Sequence, residues 1–238
     1  MKKLPSFITT GLGLCLLTGC ATTEPAAQKH ACRDYSGYIL NLATGGTNDV
    51  AHPPALPIRL GVAQIGESAP PQAMCAALAA DKKSVASVVG LPLPDHLENQ
   101  SGHSVEKSPD ANYVGEIKSV CHLAQAGGAD YVFIFGHSVE TWVQQNALSL
   151  FDCTFVGAEI IPGGKVNLQG RAAGTLIEAA TGRPVFLISA ECRRSVPTPN
   201  LLAGGKAAEM RVAAGDELSG ELSASLLRKL ADAAVGRK

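Results

Sequence analysis

The stretch Tyr131-Val132-Phe133-Ile134-Phe135 opens the part of the chain that decides its fold. From here the apolar residues change to the two-residue spacing of strands. That spacing predicts four strands: 131–143, 148–161, 166–179 and 185–193. The turns between them are short, as at Pro162-Gly163-Gly164-Lys165 and Ala180-Thr181-Gly182-Arg183. Because short turns leave no room for crossover connections, we predict that the four strands form an antiparallel meander.

Upstream of the meander, the sequence predicts two strands, each followed by a helix. Residues 58–65 and 85–91 are short apolar runs, which are typical of buried strands. Between them, Met74 and Leu78 share one side of a modest helix. A longer helix begins near Asp110, and its apolar residues lie on one face: Tyr113, Ile117, Val120, Cys121 and Ala124.

Four leucines at four-residue spacing predict a terminal helix that packs one apolar stripe on the sheet: Leu218, Leu222, Leu226 and Leu230. The complete element order is β-α-β-α-β-β-β-β-α. We therefore predict an α+β domain with a mixed sheet and an antiparallel C-terminal meander.

The N terminus has the pattern of a secretory signal. Met1-Lys2-Lys3 precedes an apolar run that is shorter than the roughly 20 residues of a membrane-spanning helix. The run ends in Leu17-Thr18-Gly19-Cys20, which resembles the lipobox of bacterial lipoproteins. That resemblance implies that residues 1–19 are removed and that Cys20 carries a diacylglyceryl group, with a third acyl chain on the new amino terminus. A plain cleaved signal with an incidental cysteine is the alternative.

The resemblance also implies a location. Two or more acyl chains anchor a protein stably, so membrane lipid is an expected partner through acylated Cys20. Ala21 follows the cysteine in place of Asp, and by the sorting rule of enteric bacteria this favours the periplasmic face of the outer membrane. Residues 20–57 have the composition of a tether, and residues 58–238 are expected to form the periplasmic domain.

Composition excludes some function classes and leaves the redox state open. Charged residues are 17% of the chain, against a typical value of about 25%, and the net charge is −1. There is no basic face that would indicate nucleic acid. Besides Cys20, five cysteines remain in the mature chain, so one or two disulfides and small buried thiols are both compatible with the sequence: Cys32, Cys75, Cys121, Cys153 and Cys192.

The region from residue 58 to 235 resembles the rhombotarget lipoprotein family. The residues that carry the resemblance are Asn146-Ala147-Leu148-Ser149-Leu150, Val156-Gly157-Ala158, Ile161-Pro162-Gly163, Ser195 to Asn200 and Arg59-Leu60-Gly61-Val62-Ala63. Members are predicted surface or periplasmic lipoproteins with no assigned activity. The chain departs from the family at Ala234-Val235-Gly236-Arg237-Lys238, which lacks the glycine-rich motif and apolar tail that the family name implies, so rhomboid-type processing is not expected.

The element order is also similar to periplasmic domains of the curli secretion lipoprotein and of the Tol-system beta-propeller protein. Lipoprotein activators of penicillin-binding proteins share that general fold. Such domains bind other envelope proteins, so the similarity implies protein partners in the envelope.

Two patterns could indicate an active site. Gly136-His137-Ser138-Val139-Glu140 resembles a nucleophile elbow, but Glu140 stands where that crowded turn needs a small residue and the segment predicts a continuing strand. Glu159, Glu178 and Glu191 fall on predicted strands and could form an acid/base set. Solvated strand residues are the more ordinary interpretation of both patterns.

The remaining site candidates are histidines, glycine pairs and one aromatic residue. His96, His103 and His122 match no zinc-ligand spacing, and no glycine pair lies in a phosphate-binding motif. Neither a metal nor a cofactor is therefore expected. Trp142 lies near a predicted turn, where an exposed indole could contact a partner.

The sequence favours a membrane-anchored, non-catalytic envelope protein-interaction module. One alternative is a subunit of an oligomeric envelope export assembly, which would need an extra pair of amphipathic hairpins. The other is a periplasmic hydrolase that uses Ser138 or a carboxylate.

Overall fold

The computed structural model describes residues 54–93, 110–145 and 163–235. Within these ranges one sheet and three helices follow each other along the chain: β1 Ile58–Gln64, α1 Gln72–Ala80, β2 Val85–Gly90, α2 Asp110–Ala126, β3 Tyr131–Gln145, β4 Gly164–Glu178, β5 Pro184–Thr198 and α3 Ala203–Val235. The predicted α+β class with a mixed sheet is confirmed. The signal segment, the lipobox with Cys20 and the tether up to residue 53 lie outside the described residues.

The five strands lie in the order β2-β1-β3-β4-β5. β1 is parallel to both β2 and β3, because the connections between these strands include a helix that crosses over the sheet. β4 and β5 are antiparallel and are joined by a short turn in which Gly182 has a φ of 70°. That left-handed backbone conformation carries little steric cost for glycine.

β3 and β4 pair directly, and here the structure differs from the predicted meander. Their register runs without interruption from Tyr131 opposite Glu178 to Gln145 opposite Gly164. In a four-strand meander, the segment 148–161 would lie between β3 and β4. In the structure, the edge of β3 that would pair with this segment forms its backbone hydrogen bonds with β4. The segment 148–161 itself lies outside the described residues.

One face of the sheet packs against α1 and α3. Its core contains the stacked rings of Phe133 and Phe135, whose centroids are 5.7 Å apart. The predicted leucine stripe of α3 is confirmed, and the helix begins well before it. Small residues and one methionine extend the same buried face toward the N terminus of the helix: Ala203, Ala207, Met210 and Ala214.

The other face of the sheet packs against α2. Val120, Cys121 and Ala124 of the helix are buried against Val132 and Ile134 of β3, as the predicted stripe requires. The side chain of Tyr113 is not among those described. On β4 this second core includes Ile177 and Ala173 and extends no further toward the start of the strand. α2 therefore covers only one half of β3, β4 and β5, the three strands of 15 residues.

No helix among the described ranges has both the length and the apolar character needed to cross a bilayer.

Candidate functional site

Beyond the reach of α2, the strands β3, β4 and β5 present a surface whose side chains stay at least partly exposed. Successive strand residues point to opposite faces. Val132 and Ile134 face α2, so the later even-numbered residues of β3 lie on that same side, as do odd-numbered residues of β4 and β5. We call this surface the open face; its side chains are all half-buried or exposed: Ser138, Glu140, Trp142, Asn167, Gln169, Arg171, Glu191, Arg193 and Ser195.

The strand register arranges these side chains in three rows across the sheet. One row is Trp142, Asn167 and Ser195, in which the Ser195 hydroxyl donates to Asn167 Oδ1 over 2.8 Å. The next row is Glu140, Gln169 and Arg193, and the third is Ser138, Arg171 and Glu191. Neighbouring strands are about 4.8 Å apart, so each row spans roughly 10 Å.

Both arginines of the open face lie beside one of its two carboxylates. Arg171 Nε lies 3.6 Å from one carboxylate oxygen of Glu191, and a terminal guanidinium nitrogen of Arg193 lies 3.6 Å from the other, so both form ion pairs with it. All three side chains are about half exposed or more, and ion pairs of this kind contribute at most about 1 kcal/mol. Each guanidinium can therefore exchange Glu191 for a carboxylate or carbonyl group of a binding partner at small cost.

Trp142 is the one tryptophan of the chain, and 44% of its surface is exposed. It stands near the end of β3, at the margin of the open face. An indole buries a large apolar area when a partner covers it, and its N–H offers a hydrogen bond at the same time. The exposure that the sequence suggested for Trp142 is confirmed, and its role as a contact residue stays a prediction.

His137 lies on the opposite face of the sheet from the Ser138 side chain. Its ring is half-buried against α3, where the absent side chain of Gly215 leaves space for it. Gln64 Nε2 is 3.5 Å from His137 Nδ1. Burial lowers the pKa of His137, and the nearby negative charges of Glu67 and Asp216 partly oppose that shift. The imidazole is therefore mostly uncharged at neutral pH.

The resemblance to a nucleophile elbow does not extend to the geometry. Residues 136–140 continue within β3, as the sequence predicted. Because neighbouring residues of a strand point to opposite faces, His137 cannot act as the base for Ser138.

The three glutamates are not brought together either. Glu178 accepts a hydrogen bond from the Thr181 hydroxyl in the turn after β4. Glu191 lies opposite Arg171, seven positions along β4 from Glu178, which is about 23 Å at 3.3 Å per residue. Glu159 lies outside the described residues.

The histidines form no shared site in the described ranges. His122 is exposed on α2, beside buried Cys121, so the two side chains point to different sides of the helix as predicted. His96 and His103 are outside the described residues. No group of three or more His, Cys, Asp or Glu residues that could hold a metal ion occurs among the positions the structure describes.

Three of the five cysteines that follow Cys20 are described, and each is a free thiol: Cys75, Cys121 and Cys192. Burial raises the pKa of all three, to about 11 for Cys121. Thiols of this kind stay protonated at neutral pH and are weak nucleophiles. They act here as small core residues, whereas Cys32 and Cys153 lie outside the described residues.

Two features of this region were missed at the sequence level. One is Gln64, a polar residue only 4% exposed at the end of β1, and no local pattern marks it. The other is the extent of the open face. It had a signal in the alternation Lys165-Val166-Asn167-Leu168-Gln169-Gly170-Arg171, in which every second residue is polar.

Solved structures similar to this chain include a bacterial lipoprotein. Lipoprotein GNA1162 from Neisseria meningitidis is 14% identical, with 73% of this chain and 99% of that chain covered and a TM-score of 0.34. The PelC dodecamer from Paraburkholderia phytofirmans is 14% identical, with 76% and 93% covered and a TM-score of 0.31. The LpoB C-terminal domain from Salmonella enterica is 16% identical, with 68% and 99% covered and a TM-score of 0.27.

No protein-family model and no curated protein matches the chain. Membership of the rhombotarget lipoproteins therefore stays a prediction. The identities and TM-scores of the similar structures are too low to transfer a function to this chain. Its function is therefore argued from its own residues.

Proposed function

We propose that this chain is a lipid-anchored, non-catalytic protein of the bacterial cell envelope that binds another envelope protein through its open face. The observation that carries the proposal is the half of β3, β4 and β5 that lies beyond the reach of α2. It presents Trp142, Arg171 and Arg193 on a surface that α2 leaves exposed.

The residue types of the open face suit protein recognition. Tryptophan and arginine are enriched in interfaces and account for many of the residues that dominate binding energy. The mixed polar side chains around them can form the hydrogen-bonded rim of an interface. Because 15-residue strands hold the backbone of these residues in register, little backbone order has to be created on binding.

The anchoring part of the proposal rests on Leu17-Thr18-Gly19-Cys20 and its resemblance to a lipobox. An acylated Cys20 would keep the domain beside a membrane, and Ala21 favours the outer membrane. A partner in the same compartment then meets the domain at a high local concentration, so even a modest intrinsic affinity is sufficient.

The proposed absence of catalysis is supported by the placement of the reactive groups. His137 and Ser138 lie on opposite faces of the sheet, and the carboxylates of Glu178 and Glu191 are far apart. The thiols of Cys75, Cys121 and Cys192 have raised pKa values.

Trp142→Ala is expected to reduce partner capture by about tenfold or more, because truncation of an interface tryptophan removes a large contact area. Cross-linking in living cells, followed by affinity purification and quantitative mass spectrometry, measures the captured amount. Val212→Ala is the matched control, since Val212 is an exposed apolar residue on α3, on the other side of the sheet.

The control variant is expected to capture the same envelope protein as the wild type. Equal capture by Trp142→Ala and the wild type would show that the open face is not the binding surface. Recovery of no reproducible envelope protein from the wild type would contradict the proposed function as a whole.

A further inference from the structure

Two polar side chains meet where β1 ends beside β3. Gln64 is the last residue of β1 and pairs with Phe135, two residues before His137. Both side chains point to the sheet face that packs against α1 and α3, as do Val62 and Phe135 in their own strands. Gln64 is only 4% exposed, whereas the ring of His137 is half-buried and reaches solvent. We call Gln64 and His137 the polar pair.

Much of the hydrogen-bonding capacity of the polar pair is unused. Its one contact joins Gln64 Nε2 to His137 Nδ1 over 3.5 Å, which is long for a hydrogen bond. If the amide donates to the ring, the carbonyl oxygen of Gln64 remains without a partner among the described residues. If the amide is turned round and the ring donates, His137 Nε2 is the acceptor that remains. Because buried polar groups are nearly always hydrogen-bonded, this acceptor indicates a group that the described chain does not supply.

Gly215 of α3 leaves space beside the imidazole. A Cβ atom at this position would lie 3.3 Å from Nε2 of His137 and about as close as van der Waals contact to the two adjacent ring carbons. Any side chain here would therefore crowd the nitrogen. A ligand can approach the polar pair from this side, through the exposed part of the ring.

The polar pair lies at a position in the fold where related sheet architectures bind ligands. β1 has β2 on one side and β3 on the other, so the strand order changes direction at β1. The helices of the two crossovers, α1 and α2, pack on opposite faces of the sheet. In open sheets with parallel strands, ligands bind outside the carboxyl ends of the strands at such a change of direction. Gln64 stands at the carboxyl end of β1.

The charged groups that act on His137 are both carboxylates. Glu67 lies three residues after Gln64, and Asp216 follows Gly215 on α3. The negative charge of each opposes the lowering of the His137 pKa by burial. Both carboxylates are exposed, and neither forms an ion pair with a basic residue within the described ranges.

The neighbouring basic residues do not offset this charge. Arg211, one turn before Gly215, donates to the hydroxyl of Thr141, which is four strand positions beyond His137, or about 13 Å. The segments outside the described residues add negative charge: 94–109 has three acidic residues and one basic, 146–162 has two and none, and 21–53 has three and two. The two basic residues that end the chain follow Val235, about 30 Å from Gly215 along α3.

We propose that the polar pair, together with Glu67 and Asp216, forms a binding site for an ammonium group. An ammonium group donates up to three hydrogen bonds, so it can satisfy the acceptor of the polar pair, and its charge complements the two carboxylates. A metal ion fits less well, since the described residues include no group of three His, Cys, Asp or Glu that could hold one.

The ammonium group could belong to a small amine or to a lysine side chain of a protein. The site is separate from the open face, which lies on the other side of the sheet, and it does not depend on acylation of Cys20. Failure of this proposal would therefore leave the proposed function unaffected.

Nuclear magnetic resonance can detect binding at the residues of the site. The full chain is labelled with a heavy nitrogen isotope, purified in a nonionic detergent and titrated with butylammonium or with its neutral counterpart butanol. We expect butylammonium to shift the side-chain amide signals of Gln64 and the backbone amide signal of Gly215 until they saturate. Butanol is expected to leave these signals unchanged.

A short peptide with one lysine, compared with the same peptide carrying norleucine, separates the two sources of the ammonium group. Tighter binding of the lysine peptide than of butylammonium would identify a protein side chain as the ligand. Equal binding of the two would identify a small amine. In both cases the norleucine peptide is expected not to bind.

Two matched pairs of variants test the contacts. Gly215→Ala is expected to abolish the shifts of the Gln64 side-chain signals, because its Cβ would lie against His137 Nε2, whereas Gly220→Ala, at an open position of α3, is expected to bind like the wild type. Asp216→Asn is expected to weaken binding by about two- to fivefold. Asp232→Asn makes the same change elsewhere on α3 and is expected to have no effect.

Gln64→Met separates a binding role of Gln64 from a structural one. Methionine is similar in size to glutamine and has no amide that needs partners. We expect this variant to lose binding but to unfold at a higher urea concentration than the wild type, because a buried amide with incomplete hydrogen bonds has been removed. Unfolding at a lower urea concentration with unchanged binding would assign Gln64 to the structure alone and overturn the proposal.

Two further results would overturn the proposal. The first is a wild-type protein whose Gln64 and Gly215 signals respond equally to butylammonium and butanol, or to neither. The second is binding by Gly215→Ala and Asp216→Asn that equals the binding of their matched controls, with unchanged circular dichroism confirming that all four variants are folded.

Discussion

Gly174→Ala is expected to lower the free energy of unfolding by about 3 kcal/mol, because the sheet has no space for a side chain at this position. A Cβ atom on Gly174 would overlap the ring of Phe133 and would also lie 3.0 Å from Cβ of Phe135. Both aromatic residues are fully buried in the core between the sheet and α3, so neither can move aside without disturbing that core. Urea denaturation followed by circular dichroism measures the effect.

The same substitution at an open position is the control. Gly220 is an exposed residue of α3, and no atom lies within 4 Å of the place its Cβ would occupy. Gly220→Ala is expected to raise the free energy of unfolding by about 0.5–1 kcal/mol, since alanine favours helix over the unfolded chain. Adding Phe133→Leu to Gly174→Ala should recover part of the lost stability. Equal effects of the two glycine substitutions would contradict the packing described here.

Leu222→Ala is expected to lower the free energy of unfolding by about 3–4 kcal/mol. Leu222 lies in the middle of the α3 stripe with no exposed surface, and truncation leaves a cavity that the neighbouring side chains fill only in part. Thermal and urea unfolding of the purified domain measure the loss.

Leu202→Ala is the matched control for that cavity, because Leu202 is 55% exposed in the single turn of 3-10 helix between β5 and α3. Its effect is expected to stay within about 0.5 kcal/mol. If Leu222→Ala were as mild as Leu202→Ala, α3 would not be packed on the sheet through this stripe.

Periodicity within the sequence was sufficient to predict most of the elements. The four-residue spacing of Leu218 to Leu230 predicted a helix with one buried face, and the described helix has that face. The spacing could not show that the helix begins at Ala203. Small residues such as Ala207 and Ala214 carry little apolar signal, and only their close approach to the sheet shows that they are buried.

Strand pairing was harder to predict because it depends on contacts between distant residues. Short turns correctly indicated that β4 and β5 are antiparallel neighbours. The same reasoning placed the segment 148–161 in the meander, yet Gln145 pairs with Gly164 and β3 lies directly beside β4. Local spacing gives the face that each residue occupies, but it does not give the neighbour of the strand.

The open face illustrates the same limit for the candidate site. The alternation from Lys165 to Arg171 shows that one side of β4 is polar, and this could be read from the sequence alone. The core under α2 reaches along β4 only as far as Ala173. This limit is the reason that Asn167, Gln169 and Arg171 remain accessible. The position of α2 follows from the two parallel crossovers and from no feature of β4.

Metabolic labelling with a fatty acid tests the central claim, that the domain is held at a membrane by an acylated Cys20. We expect the label on the wild-type protein and also on the Cys15→Ala variant. This variant is the matched control, because Cys15 is the other cysteine within residues 1–20. The label is expected to disappear in Cys20→Ala, which should also leave the membrane fraction at high salt or remain unprocessed. A wild-type protein without label, or label that persists in Cys20→Ala, would contradict the account.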